Sequence, residues 1–180
     1  MKYSFFIIYL LILFLKNDMN AQSSLELAFI KVLNEYRKDR DLSYLFYDSV
    51  SSKITKHHAQ YLSLCNDANI QISDHEEKVD IKHFNEMNFD QRSEMIKPEV
   101  WWFGEIQIQY LLKRNNDVET AKQILKTFDK SPGHKDIMTL DIKKKNISIP
   151  IVAISIFEKK DEFDQIILSI VVNVGSRIIK

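Results

Sequence analysis

Two long apolar segments near the carboxyl end constrain the fold more than any other feature of this chain. Ile147–Phe157 and Gln165–Val174 are so rich in Ile and Val that both faces of each predicted strand are apolar. Strands of this kind belong in the middle of a sheet that is covered on both sides. The polar sequence 159–162, Lys-Lys-Asp-Glu, is typical of the turn between them. The chain therefore needs helices on both faces of its sheet.

Three amphipathic segments are predicted to supply those helices. Ser23 and Glu26 have the spacing of a capping box, which opens the first helix. Asp48 is expected to cap the second helix, and Asp117 begins the third. Trp101–Leu112 alternates apolar and polar residues, as a strand does. Together these elements predict an α+β fold, a three-layer α-β-α sandwich.

The amino-terminal residues Met1–Ala21 are typical of a cleavable secretory signal peptide. Lys2 provides a positive start, and Phe5–Leu15 is an apolar run within the ~7–15 residues expected of a signal core. A membrane-spanning helix needs about 20 apolar residues, although an uncleaved anchoring helix remains an alternative. We expect cleavage near Ala21 and a secreted or periplasmic single domain, residues 22–180, with no transmembrane segment after cleavage.

Charge and cysteine content narrow the class of protein. The chain carries 25 Lys and Arg against 25 Asp and Glu, and loss of the leader leaves a net charge of about −1. A near-neutral surface argues against nucleic acid as a partner, because phosphate binding needs a basic face. A single cysteine, Cys65, excludes an intramolecular disulfide. We expect a monomer, held by its core, that fits a bacterial envelope better than a disulfide scaffold.

Three short stretches contain residue types suited to chemistry. His75 lies among acids in the polar stretch 66–100, where a histidine is usually solvated. Glu105 follows two tryptophans on the predicted strand, where a glutamate usually faces solvent. Ser131 precedes Pro132, which is a helix-start pattern, so Ser131 is interpreted as a cap and not as a nucleophile. His134 is then the third helical residue, where the helix dipole disfavours imidazolium.

Read in order, these stretches resemble the CAP superfamily (SCP-like proteins) in its short bacterial form. The resemblance covers about residues 25–174, and the stretch 131–138, Ser-Pro-Gly-His-Lys-Asp-Ile-Met, is its most specific part. The other matching stretches are 33–37 (Leu-Asn-Glu-Tyr-Arg), 57–62 (His-His-Ala-Gln-Tyr-Leu), 75–77 (His-Glu-Glu), 89–92 (Phe-Asp-Gln-Arg) and 104–106 (Gly-Glu-Ile).

The resemblance implies a central cleft lined by two histidines and two glutamates. His75, Glu105 and His134 match three of those positions, whereas the fourth glutamate has no counterpart. Phe128 replaces the family's usual tryptophan, and Ile106 its usual asparagine. His58, on the apolar face of the second helix, is expected to be a satisfied core histidine without a role in the cleft.

Two functions of different classes follow from this cleft. The first is a binding module for a divalent metal, a lipid, a peptide or another small molecule, in which His75, His134 and the Glu105 carboxylate would hold Zn²⁺ and leave the fourth ligand position open. The second is a peptidase-like hydrolase, in which zinc-bound water or Glu105 beside His134 would act as the base. The missing fourth glutamate favours binding over catalysis. A third reading is an interaction domain with a vestigial cleft, for which Trp101 and Trp102 would suit a contact surface.

Overall fold

A four-stranded mixed sheet forms the centre of the fold. The computed structural model describes residues 22–67, 75, 77, 81, 87–96, 99–112, 116–142, 148–161 and 163–178. The strands lie in the order β1-β3-β4-β2, with β1 parallel to β3 and the other neighbours antiparallel. Their bounds are β1 Phe46–Tyr47, β2 Val100–Leu112, β3 Ser148–Lys160 and β4 Ile166–Ile178.

Five helices are seen in the part of the chain that the structure describes. Ser23 and Glu26 form the predicted capping box, and Asn116 caps the predicted third helix one residue before Asp117. Asp48 accepts from the Ser51 amide at 2.9 Å and so holds the turn before its helix instead of the helix itself. The bounds are α1 Ser24–Lys38, α2 Ser52–Asp67, α3 Phe89–Glu94, α4 Asp117–Asp129 and α5 Pro132–Met138.

Side chains of β4 alternate between two hydrophobic clusters. Val172 and Val174 pack with α1 and α4, whereas Val171 packs with α2. Because successive side chains of a strand point to opposite faces, helices cover the sheet on both faces. The predicted α+β class and the two central strands, β3 and β4, are confirmed.

Cys65 is a buried thiol in the hydrophobic cluster that contains residues of α2, as its place on an apolar face predicts. The predicted signal peptide, Met1–Ala21, lies outside the described residues. None of the helices described is both long and apolar enough to cross a membrane.

An irregularity in β2 decides which side chains share a face. The pairing with β4 shifts between Trp102 and Gly104, so that Phe103 is an extra residue in the strand. Such a bulge reverses the alternation on its far side. Trp102 pairs with Gly175, and a Cβ atom at Gly175 would lie 2.7 Å from the Trp102 ring. Trp102 therefore lies on the same face of the sheet as Glu105.

Candidate functional site

Five charged or titratable side chains meet between α2, α3 and β2, and we call them the ionic cluster: His57, His58, Glu77, Arg92 and Glu105. Glu77 Oε1 lies 2.9 Å from His58 Nδ1, 3.2 Å from His57 Nδ1 and 3.3 Å from Arg92 Nη1. Burial alone would raise the pKa of Glu77, but the bonds from the two histidines and the charge of Arg92 outweigh it and lower that pKa to about 2. Glu77 is thus a buried, ionised carboxylate.

Arg92 joins the two carboxylates of the ionic cluster. Its side chain is fully buried, and Nη2 donates to Glu105 Oε1 at 2.8 Å and to the His75 carbonyl at 3.0 Å. Nη1 donates to the Met87 carbonyl at 2.8 Å and approaches Glu77. α3, with its own capping box from Asn88 and Gln91, carries Arg92 into this position.

Glu105 is buried on β2 and takes donors on both carboxylate oxygens. Oε1 lies 3.2 Å from His75 Nδ1 as well as 2.8 Å from Arg92 Nη2. With its amide nitrogen turned towards β2, Asn173 donates to Oε2 at 3.1 Å. Asn173 is also the residue that pairs with Glu105 across β2 and β4, which explains the short distance.

The contact with Glu105 selects the tautomer of the neutral His75 ring. An ionised carboxylate only accepts hydrogen bonds, so Nδ1 of His75 carries the hydrogen. Nε2 is then the ring nitrogen that can accept from or coordinate a ligand. The side chain is 45% exposed, so a ligand can reach it.

His134 lies near the start of α5, where Ser131 and Pro132 begin the helix as predicted. Ser131 makes no side-chain cap bond. The His134 ring contacts Phe128 edge-on, with ring centroids 5.3 Å apart. Burial, and then the positive charge of His75, lower the pKa of His134. The neutral ring is therefore favoured, and the causes are burial and His75, whereas the sequence predicted an effect of the helix start.

The structure brings two of the three predicted residues into direct contact. His75 bonds to Glu105, and His75 and His134 interact electrostatically. Within the described ranges, no group of three or more His, Cys, Asp or Glu side chains is arranged to hold a metal ion. The assignment of the three residues to a functional cleft stays a prediction.

Sequence reasoning gave no role to several members of this region. His58 is a buried and satisfied histidine, as predicted, with Nδ1 at Glu77 and Nε2 2.5 Å from Gln107 Oε1. Its Nε2 also lies 3.8 Å from Glu105 Oε1, so it borders the predicted site. Glu77 and Arg92 lie in the stretches 75–77 and 89–92, which resemble the CAP superfamily. Their place in those stretches was the sequence signal that could have identified them. Asn173 has no sequence signal, since it lies inside an apolar strand.

Comparisons with known proteins bear on the fold. No family model matches the chain, and no curated protein matches it. Among solved structures, an outer surface protein from Borrelia burgdorferi is similar, with a TM-score of 0.51 and 14% sequence identity. The match covers 86% of this chain and 94% of that one. The two proteins therefore share a fold over most of their length.

Proposed function

We propose that the mature chain is a secreted binding module of the CAP type, with a three-layer α-β-α sandwich and a cleft formed by His75, Glu105 and His134. The motif order along residues 25–174 supports this proposal, as do helices on both faces of the sheet. The ligand is a divalent metal, a lipid, a peptide or another small molecule of the bacterial envelope or exterior.

The hydrogen bonds of the Glu105 carboxylate are the observation that favours binding over hydrolysis. Oε1 accepts from Arg92 and His75, and Oε2 accepts from Asn173 when the amide nitrogen of Asn173 is turned towards β2. A general base must be free to take a proton from the reacting group. Glu105 is better suited to orienting His75 than to reacting, which favours a binding role for the cleft.

Zinc is the metal form of this proposal. A metal-bound histidine commonly donates its other ring N–H to a carboxylate, and His75 is held by Glu105 in this way. His75 and His134 would provide two nitrogen ligands of the four that Zn²⁺ takes. Among the described residues, no group of three or more His, Cys, Asp or Glu side chains is arranged to hold a metal ion, so a bound zinc would complete its shell with water or with atoms of a ligand.

A location outside the cytoplasm belongs to the same proposal. The predicted leader, Met1–Ala21, would direct export. The similar solved structure is named an outer surface protein, which agrees with a secreted or periplasmic destination.

The test of the metal form is zinc analysis of the purified mature protein, residues 22–180. We expect bound zinc in the wild type, its loss in the double variant His75→Ala/His134→Ala, and its retention in His83→Ala, which removes a histidine that is not among the three predicted site residues. Equal zinc in the wild type and the double variant, or none in either, would reject the metal form.

The hydrolase alternative is tested with the same variants. Release of peptides from an unfolded protein such as casein, by the wild type and not by His75→Ala/His134→Ala, would favour hydrolysis over binding. Equal release by both proteins would indicate a contaminating protease.

A further inference from the structure

We propose that Arg92 is a positioning residue of the cleft: it fixes the ring of His75 by holding both the backbone of that residue and the carboxylate to which its ring bonds. That this positioning affects ligand binding rests on the proposed function. The positioning of the His75 ring can itself be tested without a ligand.

A single nitrogen of Arg92 makes the two bonds that matter. Nη2 donates to the His75 carbonyl at 3.0 Å and to Glu105 Oε1 at 2.8 Å. The same Oε1 atom lies 3.2 Å from His75 Nδ1. These bonds form a closed ring of contacts that links the His75 backbone, the Arg92 guanidinium, the Glu105 carboxylate and the His75 side chain. Arg92 therefore sets the distance between the main chain of His75 and the carboxylate that orients its ring.

The second terminal nitrogen of the guanidinium, Nη1, anchors Arg92 in this position. Nη1 donates to the Met87 carbonyl at 2.8 Å and lies 3.3 Å from Glu77 Oε1. Glu77 is itself bonded to the Met87 amide at 2.8 Å. Arg92 is fully buried, so it acts on a ligand through His75 and not by contact.

Only an arginine suits this position. A guanidinium presents several donors in a planar fork, whereas a lysine ammonium is a point charge with a different geometry. Arg92 must serve two carboxylates and two carbonyl oxygens that lie on different sides of it. A lysine would keep the charge between Glu77 and Glu105 but could not make all four contacts at once.

The consequence is a defined tautomer of His75. While Glu105 is held, the hydrogen of the neutral ring stays on Nδ1. Without Arg92, the Glu105 carboxylate and the backbone of His75 lose their common donor, and the ring can exchange between its two tautomers. A ligand that needs Nε2 would then meet a mixed population of rings.

The experiment is ¹⁵N NMR of the His75 ring nitrogens at one pH near 8, on metal-free protein. We expect a single Nδ1–H tautomer in the wild type and a mixture in Arg92→Met and Arg92→Lys. The matched control is Arg37→Met. Arg37 is a second fully buried arginine, and it bonds the carbonyls of Ser43, Met138 and Leu140 away from the ionic cluster.

A folded Arg92→Lys protein that keeps the single tautomer would overturn the proposal, and so would an equal change in Arg37→Met. If the Arg92 variants do not fold, the proposal is tested by hydrogen exchange of Arg92 in the wild-type protein. We expect its Arg92 Nη hydrogens to exchange slowly and to show contacts with Glu105, and rapid exchange would overturn the proposal. Failure of zinc binding leaves these results unchanged, so the two proposals fail separately.

Discussion

Gly104 on β2 lies so close to Ile137 on α5 that a Cβ atom at position 104 would be 2.7 Å from two carbons of the Ile137 side chain. The absence of a side chain at Gly104 therefore sets how closely α5, which carries His134, approaches the strand that carries Glu105. We predict that Gly104→Ala destabilises the fold by about 1–3 kcal/mol through overpacking. Urea unfolding measures this change.

The matched control for that substitution is Gly133→Ala. A Cβ atom at Gly133 would meet nothing within 4 Å, and Gly133 lies inside α5. Alanine there should leave stability unchanged or raise it by roughly 0.5–1 kcal/mol. Equal unfolding midpoints for Gly104→Ala and the wild type would contradict the close approach of α5 and β2.

The ionic cluster predicts a loss of stability in acid. The pKa of Glu77 is lowered from 4.5 to about 2 in the folded protein. A carboxylate with a depressed pKa stabilises the fold above its unfolded value, and that contribution disappears as the pH falls through the folded value. We expect the midpoint of urea unfolding to decrease between about pH 5 and pH 2.

The variant Glu77→Gln should remove much of that pH dependence, since it has no proton to gain. It should also cost roughly 3–5 kcal/mol at neutral pH, because Arg92 loses a buried partner. Glu119→Gln is the control, since Glu119 pairs with Lys122 on the surface, where ion pairs contribute little to stability. An unchanged acid transition in Glu77→Gln would contradict this role of Glu77.

His134 should respond to the removal of its neighbour. Burial, and then the positive charge of His75, lower the pKa of His134. In metal-free protein, His75→Ala removes the second effect, and the pKa of His134 should rise towards 6.5 without reaching it. NMR titration of the ring hydrogens measures this shift.

His57→Ala is the comparison for that titration, because it removes an imidazole that is not among the groups acting on His134. A pKa of His134 that is the same in His75→Ala and the wild type would mean that the two rings are not electrostatically coupled. Equal shifts in both variants would mean that the effect is not specific to His75.

The central strands were predictable because their sequences leave no alternative. Ile and Val at consecutive positions need cover on both faces, and β3 and β4 receive it from helices on both sides. The ends were less well predicted. β3 continues to Lys160, inside the sequence expected to form the turn, since polar residues at an exposed strand end can still pair through their backbones.

α3 escaped prediction because it has no hydrophobic face. In Phe89–Glu94 the one buried residue is Arg92, whereas the recognisable pattern of a surface helix is an apolar stripe. Its other signal, the capping box of Asn88 and Gln91, lacks the apolar run that usually follows such a box. A helix that buries a charge looks like a polar loop in a sequence.

The burial of Glu105 was hidden for a related reason. Alternation along β2 is typical of one face in solvent, but the face of Glu105 and Gln107 is covered by α2 and the ionic cluster. Glu105 can be buried on that face because Arg92, 13 residues away along the chain, donates a hydrogen bond to its carboxylate and balances its charge. Compensation between distant charges cannot be read from spacing along a single strand.

The first turn of α1 also protects the sheet. β1 pairs with Ile151 and Val152, and within the described part of the chain no strand lies beside the rest of that edge of β3. Glu26, which bonds the Ser23 amide through Oε2, accepts from the Ile156 amide through Oε1 at 2.9 Å. Unpaired strand edges invite pairing with other chains. A chain cleaved before Ser23 would keep both bonds of the Glu26 carboxylate. Cleavage a few residues further along, beyond Glu26, would remove the acceptor of the Ile156 amide and expose this edge of β3 to pairing with other chains.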